Sequence, residues 1–391
     1  MVITVFDHLN LGKLRFALTV IMVASLPFSE SVKTISMYLL LAVFLLQVYR
    51  KEIKLDLTVI HFGLMALILS AFISSMFAEN VAKSLKGLQD IIYYAIAFFI
   101  AGSISDEKQT RTVLWSLYLS TAAAALYGIV RAVQTQTMID IHQLRNPNYI
   151  AMYLLIVLSS MVGTIILSDR ETKRCRILLG IFSLILLIAS VLTLFRGSFL
   201  GFFIFLFVML FARKRLKNSL ALAAGVVMSC FLAVFLYKPL WNKLLSHNTD
   251  SMVSRFYIWD DAINYFRNNP FFGIGLNHFR SLLPIGCPEA GAIYYDAHNI
   301  YLQTASQMGI FGLAALLVLG YGFLLEFFRA KPMSNFGLSL KYGALGGFLI
   351  TFVTGMFDTT LHHGHAIVFT LLMGLFIGTM QKGRPSIGAP K

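Results

Sequence analysis

A chain of 391 residues that is 58% hydrophobic and only 13% charged has too few polar side chains to cover a water-soluble globule. Its mean hydropathy is +0.75, so most of its surface must be solvated by lipid. The net charge of +14 could suggest a nucleic-acid partner, but no aromatic-basic binding module accompanies it and its distribution has a simpler cause.

A membrane helix needs roughly 20 mainly apolar residues, and such segments recur along nearly the whole chain. In order, the predicted spans are Phe16–Phe28, Ile35–Tyr49, Leu57–Met76, Ile91–Ile104, Val113–Val130, Tyr149–Leu167, Ile177–Phe195, Ser198–Ala212, Leu220–Tyr237, Ala305–Phe328, Tyr342–Phe357 and Ala366–Met380. The expected class is therefore all-α, a polytopic membrane protein of about twelve transmembrane helices. Residues 1–237 carry the first nine, 238–304 form the one long loop, and 305–391 carry the last three and a tail.

Lys and Arg in short loops stay on the cytoplasmic side. With both termini inside, that side collects 21 basic and 8 acidic residues, or +13, leaving 11 and 10, or +1, which together give the net +14. Topology thus accounts for the basic excess without nucleic acid. The first span lacks an A-x-A cleavage site and is expected to remain as an anchor. The three cysteines fall in a cytoplasmic loop (Cys175), a span (Cys230) and the outer loop (Cys287), so no intramolecular disulfide is expected.

The long loop follows an odd-numbered span and so lies outside. Within it Met252 to Arg267 has helical periodicity, with Val253, Phe256, Ile263 and Phe266 on one side and Asp260, Asp261 and Asn264 on another. That pattern predicts an amphipathic helix on the membrane surface, stopped by Asn268-Asn269-Pro270. The G-x-G of Phe271 to Gly275 follows a helix and opens no βαβ unit, so it reads as a turn, not a dinucleotide fingerprint.

Several residues could carry chemistry. Arg196 sits in a tight outer turn, against the positive-inside trend. It serves either as an interfacial anchor or as a guanidinium fork for phosphate. Arg145 and Arg255 are two further outer-face arginines, and the three together could surround a lipid-linked diphosphate. His298 stands where the loop re-enters the membrane, at the start of a 30-residue helical pattern from Asn299 to Phe328. At about 1.5 Å per residue that pattern should rise above the hydrocarbon. A helix N-terminus disfavours a neighbouring imidazolium, which suits a histidine that is to accept a proton. Gly309 and Gly312 on the same helix would let another helix approach closely. His362, His363 and His365 with Asp358 have H-x-H spacing, a weak metal signal; their role stays open. His61, inside the third span, reads as a hydrogen-bonded packing residue. No P-loop, nucleophile elbow or D-x-D pair in the outer loops occurs.

The run His298-Asn299, nine residues, Gly309, two residues, Gly312 resembles the H-N-x9-G-x-x-G signature of bacterial O-antigen ligases. Phe195-Arg196-Gly197-Ser198-Phe199-Leu200 is similar to their S-R-G-A-W-L motif, with Phe195 where Ser is usual, and Arg255 through Gly275 resembles their arginine, helix and N-P-x-x-G-x-G block. The resemblance reaches the superfamily of O-antigen ligases, O-antigen polymerases and protein O-oligosaccharyltransferases, and implies a GT-C-like membrane glycosyltransferase. It also implies His298 as base, Arg196 and Arg255 (with Arg145 a weaker transfer) on the donor diphosphate, and Asn299, Gly309 and Gly312 in support. The implied donor is O-antigen on undecaprenyl diphosphate and the acceptor lipid A-core, at the periplasmic face of an inner membrane, with no metal or other cofactor. The full histidine signature favours the ligase over the polymerase, the short tail disfavours the protein transferase, and a flippase should carry charge deep in several spans.

Overall fold

A computed structural model describes residues 10–53, 56–104, 106–135, 137–141, 146–168, 171–193, 195, 197–212, 250–284, 289–332, 334–361 and 363–381. The described residues form α1 (Leu11–Ser25), α2 (Glu30–Tyr49), α3 (Val59–Met76), α4 (Val81–Gly102), α5 (Glu107–Thr135), α6 (Pro147–Leu167), α7 (Lys173–Leu192) and α8 (Gly197–Ala212). After the predicted ninth span, Leu220–Tyr237, which lies outside the described residues, come α9 (Asp250–Asn268), α10 (Ile300–Arg329), α11 (Asn335–Thr354) and α12 (His363–Gln381). Nine of these helices are long and apolar enough to cross a membrane, and α8 is a shorter apolar helix. The all-α polytopic architecture expected from hydropathy is therefore the one observed.

Capping side chains set many helix starts, because the first turn leaves backbone N–H groups without partners. Ser29, Asn80, Asn146, Thr172, Asn299 and Ser334 each accept from such a group at the head of α2, α4, α6, α7, α10 and α11. Helix ends depart from the apolar spans where a helix continues with polar residues. α4 begins ten residues before the predicted span because Lys83, Lys86 and Gln89 stay exposed while Ser84 and Leu88 face inward. The predicted loop from Arg170 to Arg176 is shortened likewise: α7 starts at Lys173, so Cys175 lies in its first turn, not in a loop, as a free thiol. Cys230 and Cys287 lie outside the described residues.

Helices α6 and α12 form the interior, with 89% and 83% of their apolar windows buried; α12 packs on α4 and α6, and α11 on α6 and α8. The α3 and α10 backbones come close at Gly63, where a Cβ would sit 2.7 Å from Leu319 Cα, and at Gly322, where one would sit 3.0 Å from Ile60 N. His61 packs as expected: its Nδ1 accepts from the Thr58 N–H at 3.0 Å and its ring lies edge-on to Phe98. At one end of the bundle Arg111 bridges Glu107 and Glu171. The other end carries α9, a short antiparallel pair of strands β1 (Ser281–Leu282) and β2 (Ile293–Tyr294), and the turn from 355 to 361.

α9 forms where periodicity places it, and besides the apolar side predicted to meet the membrane surface it carries a second one that is buried within the loop. Ile258 and Ala262 pack with Phe279, Leu283 and Ala297 into a small core, whereas Val253 and Phe256 are exposed. The helix carries two apolar stripes. One satisfies the loop's own core, leaving the other for the surroundings.

Candidate active site

The site is built around a break in α10. Gly309 adopts φ 67 and ψ −162 inside an otherwise continuous helix, a region essentially closed to residues with a Cβ. The N–H of Ile310, which in an unbroken helix would reach Ser306, donates instead to Pro270 O at 2.8 Å. In return Ile274 and Gly275 donate to the carbonyls of Ser306 (2.9 Å) and Gln307 (3.0 Å). The Ser74 hydroxyl adds a second bond to Gln307 O. Backbone groups freed by a break in a buried helix need such partners, and the segment from Pro270 to Gly275 supplies them as a strap. Contact is so close that a Cβ on Gly309 would lie 2.1 Å from Phe271 O, and one on Gly273 2.3 Å from Gln307 C. The G-x-G turn and the H-N-x9-G motif are thus two halves of one junction. The expectation that Gly309 and Gly312 admit another helix is corrected: Gly309 admits the strap, and the space beside Gly312 is filled by its own neighbour Met308.

The break leaves residues 300–308 as a short, separately held first segment of α10, and His298 crowns it. Asn299 caps that segment through Oδ1, which accepts from Tyr301 and Leu302, while its Nδ2 donates to Met356 O at 3.1 Å. Ile300 N–H reaches Gly355 O at 2.7 Å, and Ala297 N–H reaches Gln303 Oε1 at 2.7 Å. Bonds on both sides hold His298 at φ 46, a left-handed conformation uncommon for a residue with a side chain and enriched at functional sites.

The His298 Nδ1 lies 3.2 Å from Asp358 Oδ1. Asp358 is 2% exposed and fully engaged: Oδ1 also accepts from the Thr359 N–H at 2.8 Å, and Oδ2 accepts from Asn148 Nδ2 at 2.7 Å. Burial by itself would raise this carboxyl, but the hydrogen bond and proximity of His298, with the Thr359 and Asn148 donors, hold it below the usual carboxylate range. An ionised carboxylate only accepts, so Nδ1 carries the hydrogen and Nε2 keeps its lone pair for an incoming proton. Tyr294 packs edge-on to the ring, and the side chain keeps a quarter of its surface exposed. The arrangement is a positioned base with its orienting acid, able to deprotonate a hydroxyl brought to Nε2.

Among the other expected site residues, Arg145, Arg196 and His362 lie outside the described residues. Arg255 falls on the stripe of α9 that includes Ile258 and Ala262, the stripe packed against Ala297 next to His298, and forms no ion pair among the described residues. Among the described residues no group of three or more His, Cys, Asp or Glu side chains gathers as a metal site would need. Asp358 belongs to His298, whereas His363 and His365 pack against the Tyr149 ring, each with centroids 5.2 Å away. Sequence reasoning missed the pairing of Asp358 with His298, the bridging Asn148, and Asp90 with Tyr94, which lie in α4 beside the same end of α10. A usable signal existed for one of them: a base needs an orienting partner, and Asp358 is an acidic residue in a short turn at the same end.

Residues 181–317 match the family model described as O-antigen ligase. This stretch, about a third of the chain, is similar to the O-antigen ligase family. The matched stretch runs from α7 through the strap and the Gly309 break, so it contains Arg196, Arg255, His298, Asn299, Gly309 and Gly312, while Asp358 and Asn148 lie beyond it. No curated protein matches the chain at a significant level.

Proposed function

We propose that the protein transfers O-antigen polysaccharide from undecaprenyl diphosphate to lipid A-core, acting at the periplasmic face of the inner membrane by a single inverting displacement that needs no metal. The observation that carries this reading is the His298–Asp358–Asn148 chain of hydrogen bonds within a chain matched to the O-antigen ligase family. A glycosyl donor outside the cytoplasm must already bear its leaving group, because nucleotide sugars are absent there, and a lipid diphosphate meets that need.

In the reaction His298 Nε2 removes the proton from an acceptor hydroxyl as its oxygen attacks the anomeric carbon. The new glycosidic bond forms as the bond to the diphosphate breaks, and the electron pair leaves on the diphosphate oxygen. Asp358 holds the ring and stabilises the imidazolium that results. Guanidinium groups of Arg196 and Arg255, with Arg145 as the weaker candidate, stabilise charge developing on the departing diphosphate. Loop charge supports the orientation, with +13 assigned to the cytoplasmic side and +1 to the other.

The competing reading within the family is a polymerase that extends lipid-linked glycan, favoured by no observation over the ligase. The deciding experiment offers purified lipid-linked O-antigen as donor with lipid A-core and lipid-linked glycan as rival acceptors. Product on lipid A-core is expected; product only on lipid-linked glycan makes the protein a polymerase, and none on either refutes glycosyl transfer.

A further inference from the structure

Next to the His298 site a cavity opens between α3, α4, α10, the residues Leu276 and Asn277 that follow the strap, and the turn at Thr359, with room of about 70 Å³ for water. Its wall is continuous with the proposed catalytic pair. Ile300 lies two residues after His298, and Thr359, whose N–H holds Asp358 Oδ1, is another lining residue. The lining is mixed: Leu67, Ile91 and Leu316 give apolar surface, while Tyr94, Thr304 and Gln307 give polar groups.

Those three polar side chains are the informative ones. Tyr94, Thr304 and Gln307 are 2%, 9% and 6% exposed, and the Tyr94 hydroxyl, the Thr304 hydroxyl and the Gln307 amide line the cavity with no side-chain hydrogen bond of their own among the described residues. The backbone carbonyl of Gln307 is used by Ser74 and Gly275, so the residue is firmly held while its amide stays open. Buried polar groups are normally satisfied, and three gathered around one cavity imply a ligand or water that satisfies them.

We infer that this cavity is a subsite for one sugar ring of the glycan on which His298 acts. Its size argues for one ring: a water needs about 10–15 Å³ of such room, so the cavity takes roughly five waters, comparable to a single pyranose and too little for an oligosaccharide. The lining chemistry argues against the isoprenoid chain, which would bury the two hydroxyls and the amide without partners. A pyranose supplies hydroxyls to Tyr94, Thr304 and Gln307 and C–H faces to the leucines and isoleucine, the mixture of apolar wall and few placed polar groups that small-ligand sites use. The inference rests on the glycosyltransferase reading above. It adds to that reading where a reacting sugar sits.

The test is steady-state kinetics in the transfer assay with Thr304→Val and Tyr94→Phe, which remove one hydroxyl each from different helices with little change of shape. Each should raise KM about tenfold for one substrate, the scale of one lost hydrogen bond in a dry site, with kcat within about twofold and the KM of the other substrate unchanged. A rise for the lipid-linked donor assigns the cavity to the donor sugar, and a rise for lipid A-core assigns it to the acceptor; both support the inference. Unmoved KM values for both substrates reduce the cavity to a hydrated void, and a fall in kcat alone shows that the hydroxyls only support His298; either result overturns it. Thermal unfolding of both variants in detergent establishes that they are folded. If the unaltered protein transfers nothing to either acceptor, the glycosyltransferase reading falls and takes the subsite with it. Transfer with unmoved KM values removes the subsite alone.

Discussion

Replacing Asp358 separates what its charge does from what its shape does. In Asp358→Asn the Thr359 N–H, now 2.8 Å from Oδ1, selects the amide oxygen for that position, where it still accepts from His298 Nδ1. The new NH2 then stands at the Oδ2 position, facing Asn148, whose amide can turn to present its own oxygen. The histidine tautomer therefore survives and only the charge is lost. A charge-assisted hydrogen bond is about twice as strong as a neutral one, a difference of roughly 1–1.5 kcal/mol, so kcat should fall about 5- to 10-fold. In Asp358→Ala nothing accepts from Nδ1, and the Thr359 and Asn148 donors are orphaned in a site where Asp358 is 2% exposed. The loss should reach about 100- to 1,000-fold, within the range of general acid–base catalysis, while both KM values stay near their starting point. The assay is initial-rate transfer, with thermal unfolding to establish folding. An unchanged kcat in Asp358→Ala, or equal losses in the two variants, would refute the positioning argument. A pH arm checks the same residue. Its folded carboxyl lies below its ordinary value of 3.8, so its stabilising contribution is present above that value and is lost as pH falls through the lowered one. Unfolding midpoints of the unaltered protein should therefore drop below about pH 4, and Asp358→Asn should flatten that limb.

Other outcomes follow from the same geometry. His298→Ala should abolish transfer at normal abundance in the membrane, read by product formation alongside immunoblotting; retained transfer removes the base. Gly309→Ala combines a forbidden backbone region with a Cβ 2.1 Å from Phe271 O, so it should destabilise by about 2–4 kcal/mol and lower the unfolding midpoint. Gly180→Ala, where a Cβ meets nothing within 4 Å, should leave the midpoint level or slightly raised. Arg196→Lys should raise the donor KM because an ammonium cannot reproduce the guanidinium fork, and unchanged kinetics would make Arg196 an interfacial anchor. Exhaustive chelation should leave transfer intact; loss restored by a divalent cation would contradict the metal-free displacement.

Patterns with a short period or a fixed spacing determined much of this protein at the level of sequence. Runs of apolar residues must become helices in lipid, because no other segment satisfies its own backbone there, and so α2 through α8 and α10 through α12 were legible from hydropathy. α9, observed over Asp250–Asn268, was legible to within two residues from the periodicity of Met252 to Arg267 and the Asn-Asn-Pro stop. His298 stood out because it interrupts an apolar pattern at the head of a long helix, and Asn299 proved to be that helix's cap.

The tertiary structure alone decided what meets what. Asp358 is 60 residues from His298 and Asn148 is 210 from Asp358, and no local rule pairs positions so far apart. Which stripe of α9 is buried depended on Ala297 and Phe279 arriving from elsewhere in the chain. Spacing marked Gly309 as a small residue, but whether a helix or a strap lies against it depends on the path of Pro270 to Gly275, because hydrogen-bond partners for a broken helix come from wherever the fold brings a backbone close.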